Sequence, residues 1–382
     1  MSALILDELP LSAQAAVAAS SRETPSAAGE HPAPPVPRPA SSADWATNRR
    51  QGPWRDGAMG VMGCFLRSLR GRHDWRGNAD RWTWMAAKYL VRCLSVFRGQ
   101  VDFLAFVENE PALQAFRRRD PRMLERHLHR YLNRGWHRSQ RLRAIRQHYR
   151  HLLAVMPAPL FRAVYSEGMA RLGLLTLKDG SRLALGLRPP IHFGCEGELC
   201  IQLGDEQSNP LYSIVATVID GDTLAIGCIQ GMVGSDGGEA VRELTRKLHG
   251  LRPRSLMLAL AGALARHWGL SRLLAIGNAA HPLRHSRQRF VADYDAYWQE
   301  QQGSEVGGGW YELPLQPRRK VEADVPSRHR SAFRKREAIR MEAEQLLVDA
   351  LGAVPEHQRP HEQPVAKPDC VRLFHGVCTE AS

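Results

Sequence analysis

The chain has 382 residues, 43% of them hydrophobic, and a formal net charge of +13 at pH 7. That length and apolar content exclude a small disulfide-stapled scaffold and a wholly disordered chain, and leave room for two domains of about 100–200 residues. The cysteines at 64, 93, 195, 200, 228, 370 and 378 are dispersed, odd in number and without a CxxC pair, which predicts reduced thiols in the cytoplasm.

Asp7 and Glu8 stand where an export signal needs positive charge. The longest apolar run, Leu256 to Ala265, is far short of the about 20 residues that span a bilayer. The expectation is a cytoplasmic protein without a transmembrane segment, soluble or peripheral at the inner membrane. The charge is uneven. Residues 117–151 carry 12 Arg, no Lys and 2 acids, and residues 327–340 carry 6 basic residues and 1 acid. Together these give +10 and +5, so the remainder is slightly acidic. Such patches attract nucleic acid, anionic lipid or a phosphate-bearing ligand, and composition does not choose among these partners.

In chain order, residues 1–50 are rich in Ala, Ser and Pro and read as a disordered tail. Residues 58–157 read as a basic helical region. Within it, Asp120 as N-cap and Pro121 at the first helical position open a predicted helix through Trp136. Arg122, Arg126, Arg130, Arg134 and Arg138 recur every four residues and would form a cationic stripe, either a solvated face or a phosphate-binding surface. From 161 to 320 the pattern becomes that of a mixed-sheet α/β domain. LGLLTL and RLALGL flank Asp179-Gly180, a hairpin signal, and a strand follows at 198–203. LYSIVATVI and TLAIGCIQG form a second hairpin through Asp220-Gly221-Asp222.

The organising stretch is 223–281. A buried strand over Leu224 to Met232 leads into the glycine-rich turn MVGSDGG. Asp236 with Glu239 has capping-box spacing, and Val241, Leu244, Thr245 and Leu248 make one apolar face. Gly250 suits a left-handed helix terminus, and Pro253 opens the next helix, which Gly269 ends. The strand RLLAIGNAAH follows, then the helix DYDAYWQE, a glycine turn at 307–309 and a strand WYELPL. A basic helix over 326–351 precedes a flexible tail, 352–382.

Taken in order, GEL (197–199), LAIGCIQG, LTRKLHGLRP, the Asn278–His281 turn, DYDAYW, WYELP and SRHRSAFRKR resemble the bacterial VirK/YbjX family over about residues 85–345. The resemblance implies a Gram-negative protein of a domain-of-unknown-function family associated with virulence and envelope stress. It carries over no catalytic residue.

The fold class expected is α+β, and the order of elements resembles the acyl-CoA-dependent N-acetyltransferase (GNAT) type. In that fold the turn after a central strand and the next helix N-terminus hold a pyrophosphate. Here Gln230, Gly231 and Gly234 occupy that position, which makes acyl-CoA the cofactor to consider. The glycine spacing is out of phase at Val233, and Asp236 and Glu239 repel a phosphate unless they cap the helix. Plain chain reversal is the other reading. His281, after a predicted strand, is the candidate general base. His249 and Arg252 flank the Gly250 turn, as anion ligands or as helix caps. Arg334 on the terminal helix joins Arg122, Arg126, Arg130 and Arg134 as the anion-binding set. No metal-ligand spacing, Walker A, GxSxG or HExxH string is present. Whether the protein is an enzyme stays open, with an acyltransferase-like or ligand-binding protein and a basic nucleic-acid- or membrane-binding module as alternatives.

Overall fold

A computed structural model describes residues 57–75, 77–190, 194–231, 237–284, 293–317 and 321–353. The tails at 1–50 and 354–382, the Asp236 half of the capping box, and Gly234 lie outside the described residues.

The helical part holds α1 (Gly57–Ser68), α2 (Ala79–Leu94), α3 (Phe97–Asn109), α4 (Pro111–Arg119) and α5 (Arg138–Val155). Asn78 caps α2 through its side chain, which accepts from the Arg81 N–H at 3.0 Å. On α2, Ala86, Tyr89 and Cys93 recur at i, i+3, i+7 and form the buried face.

The predicted helix from Asp120 to Trp136 is corrected. Asp120 does cap and Pro121 does open a helical turn, but the turn is a short 3₁₀ piece, Pro121–Leu124, followed by another, Arg126–Leu128. Beyond it the backbone bonds to distant segments: Leu132 N–H to the Cys195 carbonyl at 2.7 Å and Arg134 N–H to the Ala280 carbonyl at 2.8 Å. Leu132 has φ 49°, a left-handed conformation that no helix continues through. The arginine stripe therefore does not exist as one face.

The sheet has eight strands: β1 (Ala170–Thr176), β2 (Arg182–Arg188), β3 (Leu199–Gly204), β4 (Pro210–Ile219), β5 (Thr223–Gly231), β6 (Arg272–Ile276), β7 (Ser304–Gly307) and β8 (Trp310–Leu313). Their order is β1-β2-β3-β4-β5-β6-β8-β7. The pairs are antiparallel except β5 with β6, which are parallel and joined through α6 (Gly237–Lys247) and α7 (Pro253–His267). The fold is α+β with a mixed sheet. Both turns of the α6–α7 unit end as their glycines predict: Gly250 has φ 89° and bonds back to the Thr245 carbonyl at 2.8 Å, and Gly269 has φ 65°. The helix α8 (Tyr294–Glu300) lies between β6 and β7 in the chain. The long α9 (Ser327–Leu351) packs on α7 and β1.

The two faces of the sheet differ. Leu199, Ile201, Ile214, Ala216 and Ile229 belong to the main core, and α7 packs against β3, β4 and β5. The alternate residues Cys200, Val215 and Cys228 pair across β3, β4 and β5 as a separate small cluster. Buried Gln202 and Ser213 extend the same face by register. One face is packed aliphatic core, and the other is small and polar.

Candidate functional site

The parallel ladder between β5 and β6 is short. It pairs Thr223, Leu224, Ala225 and Ile226 with Arg272, Leu273, Leu274 and Ala275, whereas β5 runs on to Gly231. Where the strands part, β5 is irregular: its pairing with β4 shifts between Val215 and Ala216, opposite Gly227. A Cβ on Gly227 would lie 1.9 Å from the Glu196 carbonyl oxygen, so the close approach of this chain segment needs glycine.

Tyr294, the first residue of α8, reaches into the gap left by β6. Its hydroxyl accepts from the Ile229 N–H and lies 3.2 Å from the Ile229 carbonyl, with the Cys228 Sγ at 3.6 Å. Asn278 fixes α8 over this gap: its amide oxygen accepts from the Tyr294 N–H at 2.8 Å, and its side-chain nitrogen donates to Asp293 at 2.9 Å. The His281 ring lies against Tyr294, with ring centroids 5.4 Å apart. The His281 Nδ1 accepts from the Leu283 N–H at 3.2 Å, so the neutral ring carries its proton on Nε2, which faces the Glu196 carboxylate at 3.4 Å. Glu196, Cys228, His281 and Tyr294 are all buried. Burial, then Cys228 and Glu196, push the Tyr294 phenol well above its ordinary value, which makes it a donor and not a base at neutral pH. Burial likewise lifts the Cys228 thiol, and Cys200 to about 12, so neither is a thiolate nucleophile.

A second buried polar cluster begins two residues further along. The Glu198 carboxylate is paired with Arg126 and accepts from the Tyr149 hydroxyl, and Arg126 also pairs with Asp120. Below it the Val218 N–H donates to His148 Nδ1 at 3.1 Å, and His148 Nε2 meets the Tyr165 hydroxyl at 3.2 Å. That hydroxyl donates to the Glu198 carbonyl at 3.0 Å. Burial is the largest influence on the Glu198 carboxyl and pushes it up, against Arg126 and Tyr149, which pull it down. This cluster joins the helical part to β3 and β4.

The sequence model of a family described as "Protein of unknown function (DUF535)" matches residues 78–347. The chain is 30% identical over 258 residues to "Uncharacterized protein YbjX" of Escherichia coli (strain K12), covering 65% of this chain and 78% of that protein. An "Uncharacterized protein" of Haemophilus influenzae (strain ATCC 51907 / DSM 11121 / KW20 / Rd) is 30% identical over 199 residues, covering 52% of this chain and 67% of that one. A further "Uncharacterized protein" of that strain is 30% identical over 232 residues, covering 58% and 74%.

The chain belongs to the DUF535 family. This is the family that the VirK/YbjX resemblance named. No solved structure matches the chain significantly.

In this DUF535 member the residues singled out in the sequence are dispersed. Gln230 and Gly231 close β5 beside the gap. His249 and Arg252 sit past the C-terminal end of α6, on either side of Gly250. Arg252 pairs with Glu300 at 2.5 Å, and the His249 carbonyl accepts from Arg336 at 3.4 Å. His281 as a base reaching a cleft is corrected: it is 1% exposed, its Nδ1 accepts from the Leu283 N–H, and its Nε2 lies 3.4 Å from the Glu196 carboxylate. Arg126 as a surface anion ligand is corrected too, because it is 4% exposed and holds Glu198 and Asp120. Arg122 is half-buried, while Arg130 and Arg134 are exposed. Arg334 is exposed on α9, 3.6 Å from Glu322. The residues missed in the sequence are Glu196 and Cys228, whereas Tyr294 stood out there as the residue after the N-cap Asp293. Among the described residues no three His, Cys, Asp or Glu side chains gather as a metal set, and no helix is long and apolar enough to cross a membrane.

Proposed function

We propose that this protein binds a phosphate-bearing acyl thioester of the acyl-CoA type where β5 and β6 part, as an acyltransferase or as a relative that keeps only the binding site. The observation that carries this reading is the free edge of β5. Among the described residues no strand pairs with that edge after Ile226, and the Tyr294 hydroxyl bridges the N–H and carbonyl of Ile229. In open sheets with parallel strands, ligands lodge at the carboxyl ends of strands where neighbours diverge. The chain order is the β4–β5 hairpin, α6 and α7, β6, α8, and then β7 and β8; its resemblance to the N-acetyltransferase type supports this reading.

Such a ligand would meet the end of β5 at this edge. Gly231 ends β5 at that edge, and the next described element of the chain is α6, which opens at Gly237. Against a phosphate stands Glu239 in the first turn of α6, which is partly neutralised by Arg242 at 3.2 Å. The thioester supplies an activated acyl group. The chain's own residues hold and orient: Tyr294 donates one hydrogen bond into the gap, and Glu196 with His281 forms a buried acid–imidazole pair behind it.

The test is calorimetric titration of the full chain with acetyl-CoA, longer acyl-CoA and CoA, at low and high salt. Saturable binding that persists at high salt and weakens in Tyr294→Phe is expected. No heat and no rise in melting temperature with any of them removes the reading. A role in envelope stress or virulence belongs to the same proposal, and unchanged survival of a deletion strain under antimicrobial-peptide challenge would count against it.

A further inference from the structure

The face of α2 opposite its core side is also apolar. Trp84, Val91 and Leu94 are spaced i, i+7, i+10, hence on one side of the helix, and are 66%, 66% and 68% exposed. A helix that buries one apolar stripe and shows water a second is unusual for a surface helix, and contiguous exposed apolar surface marks an interaction site. The exposed stripe on α1, Met59, Met62 and Leu66, repeats the pattern at i, i+3, i+7. Phe65 of α1 stacks on Phe97 at the start of α3, with centroids 5.7 Å apart.

This apolar surface ends in concentrated positive charge. The segment joining α2 to α3 runs along two neighbouring grooves that share Ser95, Val96 and Ser139. One, of about 660 Å³, takes in Arg92, Arg130, Arg138 and Arg141; the other, of about 550 Å³, takes in Phe97, Arg98, Arg143, Arg146 and Arg150. Arg138 donates to the Ser95 hydroxyl at 2.9 Å, which ties α5 to the end of α2. Among the described residues, Arg98, Arg138, Arg141 and Arg143 enter no ion pair with a carboxylate. The crowding is felt within the cluster: after burial, Arg138 lowers the pKa of Arg141, and Arg146 lowers that of Arg150.

We propose that this face, built from α2, the start of α3 and the arginines of α5, docks on an anionic lipid bilayer. Trp84, Val91 and Leu94 would enter the headgroup boundary, and Arg98, Arg138, Arg141 and Arg143 would meet lipid phosphates. The chemistry selects a lipid surface over nucleic acid. Arginines alone suit either polyanion, but exposed Trp, Val and Leu beside them gain nothing from a phosphate backbone and gain burial in a bilayer. The mode is peripheral, since no described helix can span.

The experiment is co-sedimentation of the full chain with phosphatidylcholine vesicles, with and without phosphatidylglycerol, alongside a short duplex DNA as competitor. Binding only to the phosphatidylglycerol vesicles is expected, weakening roughly fivefold per removed charge in Arg98→Gln and Arg143→Gln. Trp84→Ala and Leu94→Ser should weaken it further while leaving the melting temperature unchanged, because both side chains face water. Tryptophan fluorescence quenched by brominated lipid in the native chain, and less quenched in Trp84→Phe, reports insertion. Absence of vesicle binding at low salt overturns the proposal. So does vesicle binding that Trp84→Ala and Leu94→Ser leave intact and that duplex DNA displaces completely, which would make the arginines a general polyanion surface.

Discussion

Glu196 and Glu198 stand two residues apart at the entrance to β3, both buried, and the fold treats them differently. Glu198 is held by Arg126 and Tyr149 in a cluster that clamps helices to sheet. Glu196 faces an imidazole Nε2 at 3.4 Å, beside a thiol and a phenol, in a gap where the sheet has come apart. The first arrangement pairs a buried charge and fixes a structure. The second gathers donors and acceptors with few packing duties and leaves chemistry within reach. Burial of a carboxylate therefore does not by itself mark a site; what surrounds it decides.

The sharpest way to break the comparison is to remove the clamp. Arg126→Ala leaves Glu198 buried and uncompensated, and should lower unfolding stability by about 3–5 kcal/mol in urea titration. The double change Arg126→Leu with Glu198→Leu should recover a large part of that. If Arg126→Ala is silent, the clamp is not structural.

The same short segment carries His127, fully buried, with neither ring nitrogen hydrogen-bonded among the described residues; burial lowers its pKa to about 3. Burial lowers His151 to about 4 and His148 well below its ordinary value. A histidine depressed in the folded state takes up its proton first in the unfolded chain. Stability is therefore fully present above pH 6.5 and is lost as pH falls from there toward the folded pKa. Each such histidine should contribute a slope of about 1.4 kcal/mol per pH unit. His127→Leu should remove one such slope in acid-melting curves and hold or raise stability at neutral pH.

On the other side, Gly227→Ala puts a methyl against the Glu196 backbone and should cost about 1–3 kcal/mol. The smallest effect is expected of Tyr294→Phe, about 1 kcal/mol for the unbridged Ile229 groups. Its larger effect should be on acyl-CoA affinity, and a loss of stability with unchanged affinity would make Tyr294 a packing residue only.

Much of this was legible locally. Asp179-Gly180 and Asp220-Gly221 specify hairpins through their own backbone preferences, and β1–β2 and β4–β5 form where they predict. Gly250, Pro253 and Gly269 punctuate α6 and α7 for the same reason. The Asp120–Trp136 segment failed because its arginine spacing was read as a helix surface, while tertiary contacts pulled Arg126 and His127 inward and paired Leu132 and Arg134 with Cys195 and Ala280.

By itself, then, the sequence determined the elements whose signals lie within a few residues: the turns, the caps, the periodic faces and the family to which they add up. Only the tertiary structure decided which charges go inside, that β5 outruns β6, and that Glu196, Cys228, His281 and Tyr294 meet. Those outcomes depend on groups far apart in the chain, whose desolvation is offset only by partners that folding brings to them.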